Sequence, residues 1–114
     1  MHDDTKSIGD IAAELYHKPP ERYNCAQCIL KAFNQSPEKI AEFKAYGGGR
    51  APGGLCGALF AAKSLKDPIA QQHIEDRFIK EVGSALCKEI RSKNLTPCTQ
   101  CVRIAANIVK ENLE

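Results

Sequence analysis

Three times the chain sets a short polar residue directly before proline, as Ser36-Pro37, Asp67-Pro68 and Thr96-Pro97. Serine, aspartate and threonine accept hydrogen bonds from the open N–H groups of a helix's first turn. Proline has no N–H, and its φ is preset near the helical value, so it suits the first helical position and breaks the interior. Each pair therefore starts a helix, and the chain is cut into short helical pieces.

The pieces carry helical periodicity. Over residues 7–17, Ile8, Ile11, Ala12, Leu15 and Tyr16 share a face; Thr5 or Ser7 caps the segment and Pro19-Pro20 ends it. Asn24 caps a second helix over about 25–35, whose inward face is Cys25, Cys28, Ile29, Ala32 and Phe33. After Ser36-Pro37, a short third helix uses Ile40, Ala41 and Phe43, with Ala45 and Tyr46. Asp67-Pro68 opens a long pattern of Ile69, Ile74, Phe78, Ile79, Val82, Leu86, Cys87 and Ile90. Gly83-Ser84 should kink or briefly break it, since glycine costs about 1 kcal/mol inside a helix. Cys87 is then expected inside that helix, just past the break, and Arg91-Ser92-Lys93-Asn94 supplies its stop. Cys98, Cys101, Val102, Ala105, Ile108, Val109 and Leu113 line the last helix. No stretch alternates at period two, so the expected fold is all-α: one domain over 1–114, core about 22–110, with six or seven short helices.

Those helices are expected to pack around a central Gly-rich stretch, Gly47 to Gly57, which holds six of the eight glycines. Leu55 or Cys56 opens a fourth helix to about Lys66. Leu55, Ala58, Leu59, Ala62 and Leu65 face inward, and Gly57, Ala58, Ala61 and Ala62 keep it thin enough for close neighbours. The stretch matches neither G-x-x-x-x-G-K-[ST] nor G-x-G-x-x-G, and no strand precedes it, so phosphate cradling is set aside.

A chain of this length buries roughly two-thirds of its unfolded surface and needs no disulfide staples. Charge is nearly balanced, 16 Lys and Arg against 14 Asp and Glu, with no clustered basic face for nucleic acid. No apolar run approaches a membrane span. The first residues are acidic and polar, without a signal-peptide core. The expectation is a cytoplasmic protein, where thiols stay reduced and several cysteines point to metal binding or redox chemistry.

Those cysteines are Cys25, Cys28, Cys56, Cys87, Cys98 and Cys101. Two CxxC pairs, Cys25 to Cys28 and Cys98 to Cys101, open predicted helices, and Cys56 opens another behind the glycines. Helix starts favour negative charge, and thiolate is the form that attacks disulfides and binds metals. The CxxC pairs are too far apart for a zinc finger or ribbon. For Cys28, Cys87 and Cys101 taken singly, simple burial on an apolar face is the plainer reading. His2, His17 and His73 have no ligand spacing and read as surface residues, with no CxxCH for haem. Arg50 either balances thiolate charge or is simply solvated.

Asn24-Cys25-Ala26-Gln27, Gly47-Gly48-Gly49, Cys56-Gly57-Ala58, Gly83 to Cys87, and Cys98 through Val102 to Ala105-Ala106 together resemble one pattern. It is that of the small bacterial and archaeal family of redox-active cysteine proteins named for its C_GCAxxG_C_C signature. A more distant likeness is to the iron–sulfur part of split-Soret-type cytochromes. The resemblance spans about residues 22–110 and implies that the four signature positions fall on Cys25, Cys56, Cys87 and Cys98. Ala61 stands where the signature ends in glycine, and Cys28 and Cys101 are additional.

The function expected is redox chemistry at a site that gathers Cys25, Cys56, Cys87 and Cys98, with Cys28 and Cys101 as alternates. An iron–sulfur cluster would serve electron transfer or redox sensing. The alternatives are a metal-free thiol–disulfide protein in which Cys25 or Cys98 attacks, and a zinc-holding structural or interaction module. The expected partner is a redox protein; a homodimer pooling cysteines from two chains is another way to complete the site.

Overall fold

The computed structural model describes residues 7–47 and 50–111. Thr5, His2, Leu113, Gly48 and Gly49 lie outside the described residues. The described chain forms seven α-helices: α1 (Ile8–Glu14), α2 (Cys25–Ala32), α3 (Pro37–Glu42), α4 (Gly57–Ser64), α5 (Pro68–Val82), α6 (Cys87–Ser92) and α7 (Cys98–Glu111). Among these residues there is no strand, only two isolated bridges, Tyr16 with Tyr23 and Leu55 with Leu86. No helix is long and apolar enough to cross a membrane. The all-α expectation is met.

Four caps lie where the polar residues foretell, whereas at Thr96-Pro97 the helix begins one residue later, at Cys98, and Thr96 Oγ1 donates to the Val82 carbonyl. Ser7, Asn24, Ser36 and Asp67 each accept a backbone N–H three residues on. At Asn24 the box is reciprocal, with Gln27 Oε1 accepting from the Asn24 N–H at 3.1 Å. Three helices stop against a left-handed residue: Asn34 after α2, Gly83 after α5 and Asn94 after α6.

Three expectations are corrected. α1 ends at Glu14, well before Pro19-Pro20, because His17 takes φ +55° and cannot continue a right-handed helix. Its buried face is Gly9, Ala12 and Ala13, and Ile11 is 42% exposed. Of the kink or short break expected at Gly83-Ser84, the break is what forms: Gly83, at φ +111°, closes α5, and the next helix starts only at Cys87. Cys87 is thus a helix-opening residue, not an interior one. Of the α5 apolar set, Ile74, Phe78 and Val82 are buried, whereas Ile69 is 76% exposed.

The Gly-rich stretch, exposed at Pro52 and Gly53, leads into α4, which together with α7 makes the centre of the packing. Ala58, Leu59, Ala61 and Ala62 are all fully buried, and α4 packs against α2, α5 and α7. Gly57, Ala58, Ala61 and Ala62 give it a face of small residues that permits that approach. Phe43, Tyr46 and Phe60 form an aromatic cluster with centroids 5.0–5.5 Å apart, fixing the segment that enters the stretch onto α4.

α1 is clamped to α7. The Gly9 N–H donates to Asn107 Oδ1 at 2.9 Å, and Arg103 Nε to Asp10 Oδ1 at 2.8 Å. A Cβ on Gly9 would sit 2.6 Å from Asn107 Nδ2 and against the Arg103 carbonyl. Gly9→Ala should therefore force the two helices apart and lower stability by about 1–3 kcal/mol. Urea denaturation reads it; a variant with the parent midpoint would sink the close-contact account.

Candidate functional site

Four helices start at one place. Cys25 is the first residue of α2, Cys87 of α6 and Cys98 of α7, while Cys56 is the cap residue of α4. All four line a single cavity of about 390 Å³, joined by Cys101 one turn into α7. The four-cysteine set named from sequence is thus brought together within one chain. Cys28 is not part of it: fully buried, it points its thiol at the Tyr23 carbonyl, 3.9 Å away.

Local rules explain each placement. Asn24 caps α2 and also donates through Nδ2 to the carbonyls of Phe43 and Lys44. Gln27 Nε2 donates to the Ile40 carbonyl at 2.9 Å. The start of α2, with Cys25, is so tied to the segment entering the Gly-rich stretch. Gly47 allows this closeness, since a Cβ there would lie 2.8 Å from Asn24 Nδ2. On the far side, the Cys56 N–H donates to the Ala85 carbonyl at 2.8 Å beside the Leu55–Leu86 bridge. That antiparallel pairing sets Cys56 and Cys87 one residue to either side of the bridge. Ser84 Oγ accepts the Leu86 N–H and donates to Glu89 Oε1, shaping the turn into α6. Thr96 Oγ1 donates to the Val82 carbonyl, fixing the entry to α7.

The thiols interact with one another. Cys56 shares hydrogen bonds with Cys101 and Cys25. Its pKa is pushed up to about 12, first by the bond with Cys101 and then by burial, against a lowering contact with Cys25. Burial raises Cys87 too, partly offset by the Arg91 cation. Helix starts alone would favour thiolate; in the folded chain burial and thiol–thiol bonding outweigh that at Cys56 and Cys87. Cys25 and Cys98 are half-buried.

Other side chains reach the cavity, and of these only Arg50 had been considered for a role beside the thiols. Arg91 lies one helical turn after Cys87 on α6, with Nη2 3.9 Å from Cys98 Sγ, and that contact holds its pKa up. The i, i+4 spacing from Cys87 was the available signal. Tyr16 hydrogen-bonds Cys98, and burial followed by this bond raises its pKa. His17 stacks on Tyr16 at 4.0 Å and also lines the cavity, exposed as expected. Both arrive through the Tyr16–Tyr23 bridge, which has no local sequence signature. Arg50 lines the cavity as well, its Nε donating to the Gly47 carbonyl at 3.0 Å.

Among the described residues no three His, Cys, Asp or Glu side chains are grouped to hold a single metal ion; the sulfurs stand around the cavity walls. Comparison with protein-family models, with curated proteins and with solved structures found no match to this chain. The chemistry of the site therefore rests on its own geometry.

Proposed function

We propose that this is a redox protein of the C_GCAxxG_C_C kind, holding an iron–sulfur cluster on Cys25, Cys56, Cys87 and Cys98. The observation that carries the reading is four thiols, each from a different helix start, on one cavity. Four thiolates are the usual ligand set for [2Fe–2S] and [4Fe–4S] centres. A tetrahedral zinc needs its sulfurs about 2.3 Å from one point. A cavity of about 390 Å³ lined by these four cysteines leaves room for a cluster, whose irons take their thiolates separately. When bound, the cluster would supply reversible one-electron chemistry for electron transfer or sensing. The chain's own part would be to hold it on four rigid helix ends, keep water from the buried Cys56 side, and offset negative charge with Arg50 and Arg91. Cys56 and Cys87 keep their protons at neutral pH in the metal-free chain, so loading would release protons.

A second reading is supported by the hydrogen bonds from Cys56 to Cys25 and Cys101. In a metal-free thiol–disulfide protein, a thiolate attacks a partner's disulfide and a neighbouring cysteine resolves the mixed disulfide. Burial and raised pKa count against Cys56 and Cys87 as attackers. That leaves the half-buried Cys25 and Cys98 for attack, with Cys56 or Cys101 resolving.

Anaerobic purification with visible spectroscopy and analysis for iron and acid-labile sulfide tests the choice. The cluster reading expects broad visible absorption with both elements, lost in Cys56→Ser and retained in Cys28→Ser. A colourless, zinc-containing protein would sink electron transfer. A colourless, metal-free protein with fast-reacting thiols would favour the disulfide reading.

A further inference from the structure

The cavity changes character from floor to mouth. Its floor is thiol and nearly dry: Cys56 is 5% exposed, Cys101 2% and Cys87 9%. Its mouth is made by exposed Arg50, Arg91 and His17, with half-buried Tyr16 beside them. No aspartate or glutamate is among the described residues that line it. Both arginines are held in place, Arg50 on the Gly47 carbonyl and Arg91 against Cys98. The cavity's size, about 390 Å³, lies within the range of roughly 300–1,000 Å³ typical of small-molecule sites. Guanidinium groups present forked donors that match carboxylates and oxyanions.

We propose that this mouth selects small anions, carboxylates or oxyanions, over neutral molecules of the same size and brings them to the thiol floor. The inference concerns the reduced, metal-free chain, in which the arginine rim opens onto free thiols; it does not rest on the cluster reading and is tested without a cluster. Lone cations on a surface do little. Two arginines at the rim of a low-dielectric recess without opposing carboxylates focus the field into it.

Iodoacetate and iodoacetamide test this directly. In each reaction the thiolate forms a sulfur–carbon bond and iodide leaves; the reagents are close in size and differ in charge. The full chain, reduced and chelator-treated, is alkylated with each, and the rate at Cys98 is read by peptide mass spectrometry. The ratio of the two rates cancels any change in the thiol's own reactivity. The same cysteine in the urea-unfolded chain gives the reference ratio. At low salt the folded chain should favour iodoacetate by about tenfold over that reference, the lower end of electrostatic steering. The preference should collapse at 1 M salt, where the screening length is about 3 Å, and in Arg50→Gln/Arg91→Gln. A low-salt ratio no higher than the reference overturns the proposal, as does a preference that survives in the double variant. If that variant does not fold, the salt series on the parent chain decides: a preference indifferent to salt overturns it.

Discussion

Gly57→Ala is expected to dismantle the cysteine site and to cost the fold about 1–3 kcal/mol. Gly57 opens α4 directly after Cys56. A Cβ there would fall 2.6 Å from Cys25 Sγ and 2.7 Å from the Tyr46 carbonyl. The sulfur could rotate away, but that moves Cys25 within the cavity. The carbonyl has no such freedom. It is backbone, its neighbours Phe43 and Lys44 are bonded by Asn24 Nδ2, and the Tyr46 ring packs on Phe43 and Phe60. So α4 must back off α2, carrying Cys56 with it. Gly57 does not need a glycine-only backbone conformation, since its φ is not positive. Alanine's better helix propensity, about 1 kcal/mol, therefore works against the clash and makes the test sharper. The checks are the urea midpoint and, on the cluster reading, iron bound per chain. Parent values of both in Gly57→Ala would show that the close approach does not matter.

Gly57 also marks how far the sequence could be read. Its smallness was read from sequence as letting neighbours come close to α4, but that the neighbour is the Cys25 sulfur was not. Gly53 and Gly54 adopt left-handed conformations, with open space where a Cβ would point; they turn the chain and touch no thiol. Helix starts were legible because capping is local: Ser36, Asp67 and Asn24 act within three residues of themselves. The same locality misled at Cys87. Apolar spacing runs on through Leu86, Cys87 and Ile90, so a kink or short break was expected at Gly83-Ser84 with Cys87 inside the helix beyond it. What ends α5 is Gly83, over whose position Leu95 packs, and what restarts the chain is the pairing of Leu86 with Leu55. That pairing joins residues distant in sequence and leaves no periodic trace. The gathering of Cys25, Cys56, Cys87 and Cys98 was legible only as a family-like pattern, and it is the bridge and the Asn24 bonds that bring it about. Tyr16 and His17 were not placed at the cavity because they reach it through tertiary pairing alone, and Arg91, though spaced i, i+4 from Cys87, was read only as a helix stop.

The reduced, metal-free chain should lose stability steeply as pH rises from about 9 to 12. The cause is burial of neutral thiols. Cys28 is pushed from 9.0 up to about 12, chiefly by burial, and Cys56 up to about 12, led by its bond with Cys101. Cys87 and Tyr16 are shifted upward as well, burial being the first cause for both. A folded-state pKa raised above the unfolded one stabilises the fold fully below the unfolded value. Between the two values the unfolded chain has released its proton and the folded chain has not, so stability falls as pH rises. The window here opens near pH 9 and closes near pH 12. For Cys28 alone the loss across it is on the order of 4 kcal/mol, comparable with the total stability of a marginal domain. Urea midpoints measured every half pH unit should stay flat from pH 6 to 8.5 and then descend. Each such thiol adds about 1.4 kcal/mol per pH unit to the slope. Cys28→Ala separates this from general alkaline damage. It lowers stability at pH 7 by opening a small cavity, yet its alkaline descent should be shallower by about one proton's worth. Because Cys28 lies outside the cavity, metal loading should leave its share of the slope in place, while thiols that bind metal drop out of the titration. A midpoint that is flat from pH 8 to 11 in the parent chain, or a Cys28→Ala slope equal to the parent's, would rule out burial of the neutral thiol as the cause.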